Sequence, residues 1–441
     1  MFKHSLPPMR GVRCKQLPAD VRKAPLIVMQ LAIAALLIIA CMPGQIALAG
    51  ENQASRHWVG TWSTSPVDTG PAYEGLTLRQ IVRISIGGDE VRVRLSNRFG
   101  TAPLVIGAAS IGQRVTDASV DPDSLRTLTF GGEPSVAIAA GAKVLSDPVQ
   151  LSVPDGVDLA VSIYVSANTT GGSTMHTSAW QTSYISPPGD FTGDVSMTVE
   201  ETTTSWFWLT GVDVLSQQNS FAVVALGDSI TEGCCRADFV DANERYPDEL
   251  SRLLADRYPG APRVAVLNSG ISGNRVLNDF IGPNAQSRLD PDVLTQSGAT
   301  HVILLEGVND LGIGTALTGQ IVDADEIIAG YRQIIERVHA AGLKILVGTI
   351  LPFKGFETFL PDYWTPENEA KRQVLNAWIR TSDEHDGFID FDEALRDPGD
   401  PERLLPIYDG GDYLHPSAAG YERMAIEAEK VLLEPGKGRI R

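Results

Sequence analysis

The chain has 441 residues, 43% of them apolar and 20% charged, with a formal net charge of −18. That length holds two ordinary domains, and the apolar share excludes wholesale disorder. The acidic balance argues against nucleic acid and anionic lipid surfaces as partners, since both require a basic face.

In chain order, Lys3, Arg10, Arg13, Lys15, Arg22 and Lys23 stand against one acid, Asp20, before an uncharged run from Pro25 to Ala40. Ala47-Leu48-Ala49 then offers a small-x-small cleavage site. Positive, apolar, then small is the layout of a secretory signal peptide over 1–49. The alternative is a membrane anchor, but a run of about sixteen residues falls short of the ~20 that span a bilayer. Ile38-Ile39-Ala40-Cys41 is similar to a bacterial lipobox, so lipid anchoring at Cys41 stays open. Loss of 1–49 removes six basic residues and one acid, taking the net charge from −18 to −23. The expectation is an exported protein, periplasmic or extracellular, with no integral membrane association after cleavage.

Within a first domain expected over 50–216, the apolar residues from about 56 to 215 alternate with period two, as strands do. Arg79–Ile86 and Val91–Ser96, separated by Gly87-Gly88-Asp89, read as a hairpin, and further strands fit 128–130, 136–139, 159–164 and 205–209. The sequence predicts a β-sandwich or jelly-roll-like domain here. Five of the seven tryptophans, Trp58, Trp62, Trp180, Trp206 and Trp208, lie in this half and are read as core or interdomain packing.

After Asn219 the texture changes, and a second domain is expected over 217–436, with 437–441 as a tail. Phe221–Leu226 is continuously apolar, as befits a strand buried on both faces. Helices follow at 246–257, 286–295, 323–341, 365–381 and 417–433, alternating with strands at 264–267, 302–305, 345–350 and 388–389. Alternating β and α with short loops predicts a doubly wound parallel sheet, whose ligands bind beyond the carboxyl ends of the strands.

Those ends carry the polar residues. The strands lead into Gly227-Asp228-Ser229, into Asn268-Ser269-Gly270-Ile271-Ser272-Gly273-Asn274, and into Glu306-Gly307-Val308-Asn309-Asp310. Asp412-Tyr413-Leu414-His415 precedes the last helix. A serine at a strand-to-helix turn, a histidine, and an acid three residues before that histidine are the parts of an activated nucleophile. Such a set needs neither metal nor cofactor. Ser229 as a mere helix cap is the competing reading. Of the other histidines, His57, His176, His301, His339 and His385, none combines an acid three residues before it with a place in the right loop; His301 is expected to cap a strand, and His339, which follows Glu336 within the long helix, to be structural. Asp228, Glu306 and Asp310 are read as acceptors that brace loops. Asn274 and Arg275 are read either as substrate contacts or as a solvated loop. Cys234 and Cys235 border the nucleophile in sequence, either as free thiols or as a vicinal disulfide. No second Cys or His group accompanies them in sequence, so metal binding is not expected.

The four blocks resemble, in order and placement, those of the SGNH (GDSL-type) hydrolase superfamily, a match covering 220–436. The resemblance implies a three-layer α/β sandwich and a carboxylic ester hydrolase. It places the nucleophile on Ser229, the base on His415 and the orienting acid on Asp412. The oxyanion hole falls on the backbone N–H groups of Ser229 and Gly273 with the Asn309 side-chain amide. His57–Trp62, Leu95–Gly100, Asp390-Phe391-Asp392 and Asp409–Asp412 are similar to the exported two-domain, acetyl-xylan-esterase-like branch. The expected function is hydrolysis of short acyl esters, acetyl foremost, on carbohydrate. Alternatives are a lipase or general carboxylesterase, an acyltransferase with the same triad, and a non-catalytic carbohydrate-binding surface protein. The expected partner is a small-molecule or carbohydrate ester.

Overall fold

The computed structural model describes residues 56–433 apart from 169–171, 217–218, 236, 258–259 and 261. The expected signal peptide, the Cys41 site and the tail at 437–441 lie outside the described residues.

Three antiparallel sheets occupy the first half, a small one of three short strands and two larger ones. Of the larger two, one runs in the order β1 (His57–Ser63), β8 (Leu209–Ser216), β3 (Gly88–Ser96), β5 (Val149–Val153). The other has β7 (Ser183–Pro188), β2 (Leu76–Arg83), β6 (Asp158–Asn168) and β4 (Leu104–Thr116) as successive neighbours. Their inward valines, leucines and isoleucines share one buried cluster, the sandwich packing that period-two alternation requires.

The expected hairpin at 79–96 does not form. β2 pairs with β6 and β7, whereas β3 pairs with β8 and β5. The segment between them crosses from one sheet to the other, because Ile84 and Ile86 are buried and cannot be spent on an exposed turn. Ser85 Oγ there donates to the Val266 carbonyl at 2.7 Å and the Ser85 backbone to Thr61 O, so the crossing strap is itself stapled down. Trp62, Trp206 and Trp208 are core, as expected, but the strand predicted at 205–209 breaks at Trp208, whose φ is +57°.

The second half is a five-stranded all-parallel sheet, β9 (Phe221–Gly227), β10 (Val264–Gly270), β11 (Ala299–Leu305), β12 (Lys344–Gly348) and β13 (Gly387–Ile389). Their spatial order is β10-β9-β11-β12-β13. The helices are α1 (Ser229–Glu232), α2 (Tyr246–Arg257), α3 (Ala285–Leu289), α4 (Val308–Ile313), α5 (Ala324–Ala340), α6 (Pro366–Thr381), α7 (Phe391–Leu395) and α8 (Ala418–Leu433). α5 begins at a capping box between Asp323 and Glu326 and buries Ile327, Ile328, Tyr331, Ile334, Ile335 and Val338, the stripe that its spacing predicts. α6 is capped by Thr365, with Pro366 in its first turn. The helix expected at 286–295 is instead α3 followed by a π-turn at Asp290–Leu294, where Pro291 lacks the N–H that an α-helix would use. His301 lies inside β11 and packs on Phe221 rather than capping the strand. No described helix is long and apolar enough to cross a membrane.

The two halves share a continuous apolar cluster. Polar contacts reinforce it: Gly60 N–H donates to Ser297 O, Arg94 to Gln296, and Arg98 pairs with Asp292 at 3.2 Å.

Candidate active site

β9 is apolar throughout and ends at Gly227, which packs so tightly that a Cβ there would lie 2.4 Å from the Leu305 carbonyl oxygen. The chain then turns directly into α1. Asp228 is the N-cap, and its Oδ1 accepts from Ile230 N–H at 2.9 Å. Capping is therefore done by the neighbour, and Ser229 is left with its hydroxyl free for another partner. That partner is His415, whose Nε2 lies 2.9 Å from Ser229 Oγ.

His415 is held from its other side. Its Nδ1 lies 2.6 Å from Asp412 Oδ2, while Asp412 Oδ1 accepts from the backbone N–H of His415 (2.8 Å) and Leu414 (3.0 Å). Burial pushes the Asp412 carboxyl up, but the His415 hydrogen bond, the His415 charge and these two N–H donors outweigh it and hold it below the ordinary range. Tyr413 takes φ +67°, which brings Asp412 and His415 round to the same side. Asp409 Oδ1 braces that turn by accepting from Gly411 and Tyr413 N–H. With Nδ1–H committed to Asp412, Nε2 presents a lone pair to the serine.

The remaining histidines are engaged elsewhere. His57 bonds the Ser220 carbonyl, His176 the Ser65 carbonyl, His385 the Ile379 carbonyl, and His339 the Asp386 carboxylate. His176 also stands 3.2 Å from Glu232. An acid neighbour alone therefore does not set His415 apart; the contact with Ser229 does.

Gly273 lies in the loop after β10 at φ +73°, and a Cβ there would meet Ile281 Cδ1 at 2.6 Å. The loop is tied to β9 by Ile271 N–H donating to Gly227 O at 3.0 Å. Asn309 sits in the first turn of α4, buried, with Oδ1 accepting from Tyr363 OH at 2.8 Å. Its Nδ2 is buried with no hydrogen-bond partner. An unpaired buried amide donor is costly, so its retention points to an acceptor that arrives with substrate. Tyr363 was not legible as a site residue: it comes from a loop 54 positions away and has no motif around it.

Asn274 and Arg275 are both buried, which removes the solvated-loop reading. Asn274 Nδ2 donates to the Ile281 and Pro283 carbonyls, closing the loop on itself. Its Oδ1 accepts from Arg288, a fully buried arginine that the sequence did not flag. Arg288 Nε reaches Asn274 (2.9 Å), Nη1 reaches the Ser269 carbonyl (2.6 Å) and Ser65 Oγ (3.2 Å), and Nη2 reaches the Gly227 carbonyl (2.9 Å). One guanidinium thus clamps the ends of β9 and β10 to each other and to the β-rich half. Arg288→Met should cost ~3–5 kcal/mol, because four acceptors lose their donor at a buried position. Urea unfolding with an unchanged midpoint would refute that role.

Asp310 accepts from Val276 and Leu277 N–H, as a loop brace should. Glu306 differs: it is wholly buried, its two carboxylate oxygens accept no hydrogen bond, and one of them stands 3.6 Å from Arg288. Burial, with Asp228 next in weight, pushes Glu306 well up, and burial above all takes Asp228 up to about 7 and Asp310 up to about 6. Since the folded value for Asp228 exceeds its ordinary 3.8, folding takes up a proton, and the attached stability is full below about 4 and lost as pH rises through about 7. Asp228→Asn keeps the capping oxygen without the charge. Its urea midpoint should match the wild type at pH 4 and exceed it increasingly toward pH 8; parallel curves would contradict the assignment.

Cys234 and Cys235 follow α1 and are bonded to each other. Their sulfurs lie 3.8 and 3.7 Å from His415 Nε2. The sequence expectation that no histidine accompanies the pair therefore fails in three dimensions, because the partner comes from 180 residues downstream. A cavity of about 270 Å³ is lined by His176, Trp206, Glu232 and Gly270 but by none of Ser229, Asn309 and His415, so it is separate from this constellation.

Residues 225–423 match the model of the GDSL-like lipase/acylhydrolase family. No curated protein matches the chain. Similar solved structures include a putative lipolytic protein of the G-D-S-L family from Desulfitobacterium hafniense (20% identity, 48% of this chain and 100% of that one, TM-score 0.36). An acetyl xylan esterase (19%, 48% and 100%, TM-score 0.36) and a Geobacillus acetyl-xylooligosaccharide esterase variant (23%, 47% and 92%, TM-score 0.36) are also similar.

Proposed function

We propose that the GDSL-like lipase/acylhydrolase domain formed by residues 225–423 is a serine esterase that removes short acyl groups, acetyl foremost, from carbohydrate after export of the chain. The observation that carries the catalytic part is the single line of contacts Ser229 Oγ–His415 Nε2–Asp412 at 2.9 and 2.6 Å. His415 Nε2 takes the Ser229 proton as Oγ attacks the ester carbonyl, and Asp412 stabilises the imidazolium. The oxyanion is received by the N–H groups of Ser229 and Gly273 and by Asn309 Nδ2, whose lack of a partner supports that role. His415 then protonates the leaving sugar oxygen, and water repeats the sequence on acyl-Ser229.

The carbohydrate part rests on charge and on an aromatic shelf. The acidic surface suits a neutral substrate. Phe356 packs edge-on to His415 at 6.3 Å, Phe359 stacks on Phe356, and Tyr413 follows at 6.5 Å from Phe359. Phe359 and Tyr413 are 60% and 38% exposed, a site for the apolar face of a sugar ring. The second reading, a lipase or general carboxylesterase, draws on Phe280 and Ile281, exposed apolar residues beside Gly273 where a longer acyl chain would lie. Export rests on residues 1–49 and is checked by the mass of the mature chain.

The deciding experiment is turnover of p-nitrophenyl acetate, butyrate and octanoate, with Ser229→Ala as the blank. Acetate should be preferred by at least tenfold over octanoate. Preference for octanoate moves the assignment to the longer-chain reading. Absence of Ser229-dependent turnover on all three overturns the esterase proposal.

A further inference from the structure

The vicinal cysteines have no part in the acyl-transfer cycle, yet they stand against its base. Cys234 is buried and Cys235 is exposed, and each sulfur is within 3.8 Å of His415 Nε2. The three candidate ligand atoms all lie within 4.8 Å of one another. A tetrahedral zinc site with Zn–S about 2.3 Å and Zn–N about 2.0–2.1 Å has S···N edges of about 3.6 Å and S···S edges of about 3.8 Å. The two S···N edges are therefore already in place. Only the S···S edge is wrong, because the sulfurs are bonded.

The imidazole is also prepared as a ligand. A metal-bound histidine commonly donates its other ring N–H to a carboxylate, which fixes the tautomer and raises the basicity of the ligating nitrogen. Asp412 already does this at Nδ1 of His415, 2.6 Å away. The lone pair that serves Ser229 is the one a soft cation would take, and exposed Cys235 leaves a side open to solvent for a water as fourth ligand.

We propose that reduction of the Cys234–Cys235 disulfide opens a site for one thiophilic divalent cation of the zinc type. It is held by the two sulfurs and His415 Nε2, and filling it shuts off the esterase by removing the base from Ser229. A dithiol reductant supplies two electrons and two protons, cleaving the S–S bond to two thiols and itself closing to a disulfide. The cation then displaces two thiol protons to solvent and binds two thiolates and a neutral imidazole, a set without net charge. A small-molecule disulfide reverses the order: it takes two electrons from the two thiolates and, with two protons from solvent, leaves as two thiols, while the Cys234–Cys235 bond re-forms and the metal is expelled. The sulfur pair thus acts as a lock that engages only when both reductant and metal are present. The inhibitory half rests on the assignment of His415 as base, whereas the metal site does not.

The test uses the full chain reduced with dithiol, freed of reductant under anaerobic conditions, and titrated with Cd²⁺ and Zn²⁺. Cadmium should give a thiolate-to-metal charge-transfer band that saturates at one ion per chain. No band should form in the oxidised protein or in the Cys234→Ser, Cys235→Ser double variant. One equivalent of Zn²⁺ should lower turnover of the reduced protein at least tenfold, a chelator should restore it, and the oxidised protein should be unaffected. Equal bands in oxidised and reduced protein, or a band that survives the double substitution, overturns the site. A saturating band with unchanged turnover overturns the inhibition. The band is read without substrate, so a failure of the esterase assignment cannot be mistaken for a failure of the metal site.

Discussion

Ser229→Ala should lower ester turnover by about 10⁴- to 10⁶-fold while leaving the unfolding midpoint within about 0.5 kcal/mol of the wild type. The size of the first effect follows from the geometry, since removing Oγ deletes the hydroxyl that lies 2.9 Å from His415 Nε2 and is the one to be deprotonated for attack. The smallness of the second follows from the cap: Asp228, not Ser229, satisfies the first turn of α1, so the alanine gives up no backbone contact. His415→Ala should cost as much, and the double variant no more than either single one, because members of a relay fail together rather than additively. Asp412→Asn should cost about 10⁴-fold by leaving His415 in the wrong tautomer. A serine-directed phosphonate should label Ser229 in the wild type and fail in the His415 variant. Ser229→Ala turnover within tenfold of the wild type, in folded protein, would remove Ser229 from the reaction.

The extent to which the sequence foretold this site depends on the range of the interactions involved. α2, α5 and α6 follow their predicted spans because caps and 3.6-residue spacing are local signals. Three of the four loops were legible because a parallel sheet fixes where strand ends must lie, whatever the side chains around them, and the fourth because Asp412 and His415 stand three residues apart just before the last helix. What escaped was carried by contacts distant in sequence. The hairpin expectation at 79–96 failed because two alternating strands joined by Gly-Gly-Asp look alike whether they pair or part into separate sheets; only the buried Ile84 and Ile86 distinguish the cases. Arg288 resembles any arginine on a helix until its four acceptors, from three separate segments, are assembled around it. The histidine beside Cys234 and Cys235 is 180 residues away in sequence and a hydrogen-bond length away in space.

Asn309→Ala should reduce kcat by about 10²- to 10³-fold with KM nearly unchanged, the mark of a donor used only when charge develops on the substrate oxygen. The amide cannot choose its own orientation, because its two ends differ only in which is donor and which acceptor. Tyr363 makes the choice: its hydroxyl, kept protonated by burial that pushes it well above its ordinary value, donates to Asn309 Oδ1 and so turns Nδ2 the other way. The ring is wedged between Phe353 at 5.7 Å and Phe356 at 4.7 Å. Gly312, one turn after Asn309, makes room for it, since a Cβ there would lie 2.3 Å from the ring. Tyr363→Phe should therefore lower kcat about tenfold, equivalent to ~1.4 kcal/mol of lost orientation, without a matching rise in KM. In an Asn309→Ala background the same substitution should cost almost nothing further, because no amide remains to be oriented. A merely structural tyrosine predicts the opposite: equal losses in both backgrounds, accompanied by a lower unfolding midpoint. Gly312→Ala supplies an independent approach, because it displaces the ring from the helix side and should reproduce the Tyr363→Phe loss in kcat with both polar groups still present. Additive losses in the cycle would assign Tyr363 to packing alone and leave Asn309 to hold its own orientation.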